Sequence, residues 1–243
     1  MHRSIATLLA VVLCTDASAA SSIQAATIDR NPFGYRDAEG TPQGVSVDVY
    51  RLVASRLGRV LNVEFAGVDQ IEAGILDARI DLAMMFHHPE LDSAAVAIGP
   101  VIEVPAGVLT HASLTRYEDL SGLRIGYVDA TPFDERFEAD TALTRVAFPN
   151  ALDAFAAYVA GSIDAIAGPL QYLFYQAPEF AARKGTLFQV FPLQNREMWL
   201  YVPTAAFTEA ERAVIARAIE QMIEANMIES FSDHYFGMRA DVP

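Results

Sequence analysis

The chain is poor in cysteine, in basic residues and in long apolar runs, and each shortage removes a class of function. Its single cysteine, Cys14, lies near the N-terminus, so residues 20–243 can form no disulfide and offer no thiol nucleophile. Lys and Arg total 17 against 31 Asp and Glu, a formal net charge of -14. Such a surface repels phosphate backbones and anionic headgroups, which excludes nucleic-acid binding and an electrostatic membrane role. It draws in cationic solutes, but acidic residues also simply keep a secreted protein soluble. No uncharged stretch reaches the ~20 residues that a membrane-spanning helix requires. The main apolar run, Ile5 to Leu13, follows His2-Arg3 and precedes Ala17-Ser18-Ala19, so residues 1–19 read as a cleavable export signal and the destination as the periplasm. Lipidation at Cys14 would need small residues where Val12 and Leu13 stand. Gly-x-Ser-x-Gly, His-Glu-x-x-His and phosphate-cradling loops are missing as well.

What the chain does contain is alternation. In residues 44–58, Val45, Val49, Leu52, Val53 and Leu57 recur at helical spacing and Gly58 supplies a stop. A strand is expected over Leu61–Phe65, a helix from Asp69 to Ala78, and an apolar strand over Ile80–Met85. Helix, strand, helix, strand is the order of an α/β fold with mixed, mostly parallel sheets. A further strand is expected over Leu123–Val128. A helix is expected from Glu209 to about Ala225, its start marked by a Thr208/Glu211 capping box.

The segment Ile75-Leu-Asp-Ala-Arg-Ile-Asp-Leu-Ala-Met84 is echoed by Tyr158-Val-Ala-Gly-Ser-Ile-Asp-Ala-Ile-Ala167, which sets Asp81 and Asp164 83 positions apart. Two similar lobes account for this better than one sheet, with both aspartates serving the helix-to-strand turn.

Four segments in order then resemble the family 3 extracellular solute-binding proteins, the periplasmic receptors of polar amino acid ABC transporters. They are Asn31-Pro-Phe-Gly-Tyr-Arg-Asp-Ala-Glu-Gly with its continuation to Val49, Gly74 to Ala83, Tyr117-Glu-Asp-Leu-Ser-Gly-Leu-Arg-Ile-Gly-Tyr127, and Ile228 to Gly237. The resemblance implies a two-lobed type II periplasmic binding fold. The chain would leave the first lobe near residue 110 and return near 196, so that 20–109 with 196–243 form one lobe and 110–195 the other. A small-molecule ligand would bind between them, and a membrane permease would read closure of a monomeric receptor. No cofactor, metal or catalytic group is expected.

In such receptors a cleft arginine pairs with the ligand carboxylate and an acid with its ammonium group. Here the turn Phe86-His-His-Pro-Glu-Leu91 puts Leu91 at the first position, and Gly168-Pro169 stands at the second. The remaining candidates are Asp29, Arg30, Phe33 and Tyr35 in the opening turn, Met85, Phe86, His87 and His88 at the end of the first-lobe strand, and Asp129, Thr131, Gln171 and Tyr172 in the second lobe. Plainer roles compete: Phe33 as core, Arg30 as a solvated turn residue, Asp129 and Thr131 as caps of a helix beginning at Pro132. Adjacent histidines on a strand point to opposite faces, so His87 and His88 cannot both bind one metal while the strand is regular. The resemblance also admits two other functions known among relatives: an accessory protein of a periplasmic quinoprotein dehydrogenase, and a dehydratase on the same scaffold, the latter disfavoured by the loss of the arginine.

Overall fold

The computed structural model describes residues 21–129, 133–176, 188–228 and 230–231. The export signal expected over residues 1–19 lies outside them. The chain runs β1 (Ser22–Thr27), β2 (Tyr35–Arg36), β3 (Pro42–Gln43), α1 (Val45–Leu57), β4 (Val60–Phe65), α2 (Val68–Leu76), β5 (Leu82–Phe86), β6 (Ala95–Val104) and β7 (Ala106–Thr110). It continues through β8 (Arg124–Val128), α3 (Glu135–Ala139), β9 (Thr144–Phe148), α4 (Ala151–Val159), β10 (Ala165–Pro169), α5 (Leu170–Gln176), β11 (Gln189–Pro192), β12 (Arg196–Pro203) and α6 (Glu209–Glu224). Among the described residues no helix is long and apolar enough to cross a membrane.

The strands form two five-stranded sheets, ordered β4-β1-β5-β12-β6 and β11-β7-β10-β8-β9. Read from opposite ends the two orders are the same design. In each, two of the four strand pairings are parallel and two antiparallel, with one strand, β12 or β7, running against the other four, so the sheets are mixed. The parallel pairs come from strand-helix-strand units, and the antiparallel pairs from β12 in the first sheet and β7 in the second.

Local chemistry sets the helix limits. Gly58 ends α1 in the left-handed region at φ 63°, a conformation that costs glycine nothing. At α6 the amide of Glu211 donates to the Thr208 hydroxyl, and the Glu211 carboxylate accepts the Thr208 amide at 2.9 Å. The second-lobe helix expected from Pro132 is described from Glu135, with buried Asp134 as its cap. Asp134 accepts the Phe137 amide at 2.7 Å and also the Gln194 amide at 2.9 Å, so it ties α3 to the strand returning toward the first lobe.

The repeated aspartates do one job twice. The Asp81 carboxylate accepts the Gln24 amide at 2.8 Å while its own amide donates to the Gln24 carbonyl. Asp164 binds the amide and carbonyl of Arg124 in the same way. Asp81 thereby ties β1 to the start of β5, and Asp164 ties β8 to the start of β10.

The first sheet gives way to the second at Pro105, between β6 and β7, ahead of the crossing near residue 110 that the resemblance implied. Residues 95–110 are almost unbroken in apolar character, which hides this passage from any pattern of hydrophobicity. The return passes through Leu193, Gln194 and Asn195.

One prediction concerns acid. Hydrogen bonds from the Arg124 side chain and amide, with its charge, hold the Asp164 carboxyl at about 2, whereas burial pushes Asp81 up, since Gln24 offers an amide and no charge. A carboxyl depressed on folding contributes stability above its unfolded value near ~4 and loses it as pH falls through the folded one; a raised carboxyl has the opposite sign. Asp164→Asn should therefore flatten the fall of the urea midpoint between about pH 4 and about pH 2. Asp81→Asn should leave that limb intact.

Candidate functional site

In the first sheet the chain leaves β1 through α1 to β4 on one side and then returns through α2 to β5 on the other. The second sheet repeats this around β8, with β9 and β10. The crevices between β1 and β5 and between β8 and β10 are thus topological switch points, where the carboxyl ends of parallel strands leave room for a ligand. The candidate residues cluster at these ends: Asp29 to Tyr35 follow β1, Phe86 and His87 end β5, Asp129 follows β8, and Gln171 follows β10.

The first crevice is braced from beneath. Tyr50 on α1, fully buried, donates to the Ala26 carbonyl at 2.8 Å and accepts the Met84 amide at 2.6 Å. Amides at the start of α1 donate to the carbonyls of Pro32 and Phe33. Gly44 permits this approach, because a Cβ there would sit 2.5 Å from the Phe33 carbonyl oxygen.

Phe33, expected to line the cleft, is 5% exposed and packed among Ile23, Val45 and Val49 in the first-lobe core. Met85 is also buried. Asp29 and Asp129 are exposed. Thr131 lies outside the described residues.

Arg30 reaches the other lobe. Its guanidinium carbon lies 5.5 Å from the centroid of the Tyr172 ring on α5. Burial pulls the Arg30 pKa below its usual value, partly countered by Tyr172, and burial pushes the Tyr172 hydroxyl up. Next along α5, Tyr175 packs against the first-lobe core. Burial raises the Tyr35 hydroxyl, and Tyr175 adds to the rise. Gln171 closes the series: its side-chain amide donates to the Glu103 carbonyl at 3.4 Å, while its Oε1 is buried with no hydrogen-bond partner among the described residues. The amide of Leu170 donates to the Pro105 carbonyl at 2.9 Å. Helix α5 therefore bears at once on the crossing and on the opening turn.

The two histidines follow β5 rather than lying in it, and they meet different partners. His87 is half exposed, 3.6 Å from Asp92 and edge-on to Trp199. His88 meets Glu72 at 3.0 Å, and its amide donates to the Tyr201 hydroxyl at 2.7 Å. Among the described residues no three His, Cys, Asp or Glu side chains are grouped so as to hold a metal.

Tyr175 and Arg196 were missed by sequence reasoning. Arg196 lies over the Phe86 ring, 4.5 Å from guanidinium carbon to centroid. Nothing local marks it, since its role depends on the return crossing bringing β12 alongside β5.

Two α/β lobes joined by two strands, with both switch points turned toward the contact between lobes, define the two-lobed type II binding proteins. The sequence profile of the bacterial extracellular solute-binding proteins, family 3, matches residues 23–238, and the chain belongs to that family. Among solved structures it resembles an ancestral cationic amino acid solute-binding protein, with TM-score 0.71 and 18% identity over 89% of this chain and 96% of that one. It also resembles an ancestral amino-acid-binding protein described as a precursor of cyclohexadienyl dehydratase, with TM-score 0.67 and 17% identity over 89% of this chain and 95% of that one. A third is the solute receptor for L-cysteine of Neisseria gonorrhoeae, with TM-score 0.65 and 19% identity over 88% and 89%. At these identities the likeness is one of fold. No curated protein matches the chain significantly.

Truncating Phe33 separates packing from recognition. Phe33→Ala should lower unfolding free energy by about 3–5 kcal/mol, the loss typical of a core phenylalanine, measured by urea denaturation of the empty protein. A loss under about 1 kcal/mol would return Phe33 to the surface of the cleft.

Proposed function

We propose that this chain is a monomeric periplasmic receptor that closes on a small molecule and presents it to the membrane permease of an ABC transporter, leaving the molecule chemically unchanged. The observation that carries this reading is convergence. The turn that follows β1 meets helix α5, which follows β10, and side chains of one lobe already rest on the other through Arg30, Tyr172, Tyr175 and Gln171. Contacts shared by two lobes are complete only when the lobes are closed, so a ligand shifts the hinge equilibrium by its preference for that state.

The proposed ligand contacts are Asp29, Arg30, Tyr35, Phe86 and His87 from the first lobe and Asp129, Thr131 and Gln171 from the second, with Phe33 supporting the opening turn from below. The ligand is not a standard α-amino acid held in the usual way. Leu91, in place of the family arginine, is 1% exposed in an apolar cluster, and Pro169 ends β10 where an acid would receive the ammonium group. A zwitterion buried there would leave charges unpaired, which is strongly unfavourable.

Thermal scanning with standard amino acids, polyamines, betaines, organic acids and cyclic compounds tests this. A ligand at about a thousand times its Kd adds about 4 kcal/mol, a rise of roughly 8–16 °C for a protein of this size. Scattering should show the same compound reducing the radius of gyration. A rise of that size from a common L-amino acid would overturn the reading of the anchors, and a chemically altered ligand would overturn the receptor role.

A further inference from the structure

Arg196 opens β12 and pairs in register with Val104, the last residue of β6 before the crossing at Pro105. Its guanidinium lies over Phe86, at the carboxyl end of β5 and so at the mouth of the first switch point. A guanidinium resting on a ring is held by its face, which leaves N–H donors at its edge unused. Arg51, Arg59, Arg79, Arg116, Arg124 and Arg136 each hold a carboxylate. Arg196 holds none among the described residues, as is also true of Arg36, Arg56, Arg145, Arg212 and Arg217, but unlike those it rests on Phe86 at the switch point.

On the other side of the same crossing stands Gln171. Its side-chain amide donates to the carbonyl of Glu103, the neighbour of Val104, and its Oε1 is a buried acceptor lacking a donor among the described residues. Arg196 from the first lobe and Gln171 from the second thus flank the same two residues of β6. A buried acceptor without a donor is a standing cost that a ligand N–H or O–H can remove.

We propose that Arg196, held over Phe86, is the carboxylate anchor of this receptor, so that the ligand class is a carboxylate bearing a further hydrogen-bond donor for Gln171 and no α-ammonium group. This rests on the receptor reading above. The guanidinium fork supplies a paired contact to both carboxylate oxygens. The repulsion an anion meets from the acidic surface is screened over about 8–10 Å in physiological salt, whereas the contact at the anchor acts at bonding distance. Because the anchor sits at the crossing, lobe motion alters its position less than that of groups at the open rim, so the carboxylate can dock before closure.

The test is calorimetry and thermal scanning with lactate, 3-hydroxybutyrate and 4-hydroxybenzoate, each beside its amide, and with ethanolamine and putrescine as cations. At least one carboxylate should raise the melting temperature while its amide does not. Arg196→Gln should weaken that carboxylate by about tenfold or more, with empty protein melting within about 2 °C of the parent. Should the Gln variant be destabilised, Arg196→Lys carries the test, since it keeps the charge and loses the fork: weaker binding at unchanged melting temperature supports the anchor. Unchanged affinity in the variants, or shifts from neutral or cationic compounds alone, would overturn the anchor and leave the receptor standing. No shift from any compound contradicts both.

Discussion

The hydroxyl of Tyr50 holds the framework of the first lobe's crevice. Strands β1 and β5 pair directly only through Ala25 with Leu82 and Ala26 with Ala83. Beyond that, Tyr50 accepts from Met84 and donates to Ala26, spanning the strands as they begin to part. Both backbone groups are buried and would be costly to leave unsatisfied. Burial pushes the phenol pKa far up, so the brace stays protonated across physiological pH. The opening turn and Phe86 to His88 emerge from this splayed pair, and their positions follow from it.

Much of the scaffold was legible because it is written locally. Gly58 stops α1, Thr208 and Glu211 start α6, and the repeated Ile-Asp turn announced two lobes and the structural job of both aspartates. The crossing at Pro105 was not legible, because β6 and β7 form one apolar stretch and only pairing with distant β12 and β10 divides it. The candidate positions were found by chain order, since ligand contacts of an α/β lobe follow its parallel strands. Their roles were harder to read. Phe33 and Leu91 look alike in sequence as apolar residues beside a turn, and both prove to be packed inside. Arg196 carries no local signal at all.

The arginines at the contact between lobes share one device. Arg30 lies over Tyr172 across the lobes, and Arg196 over Phe86 within the first. An aromatic face steadies a guanidinium without neutralising it, in contrast to the Arg124–Asp164 pair, where the carboxylate takes up the charge. In a chain of net charge -14, Arg196, which pairs with no carboxylate among the described residues, keeps local positive character over Phe86, whereas Arg59 and Arg136 lie over rings and also hold carboxylates. The Arg30 contact also makes the opening turn a reporter of lobe position, since Tyr172 moves with the second lobe.

The account stands or falls on where a ligand sits. A crystal structure of protein purified from its native source, without dialysis, tests this most directly. The account predicts a small molecule between the lobes, its carboxylate on Arg196 and a donor on Gln171. A ligand held wholly by one lobe, or lobes closed with only water between them, would contradict it.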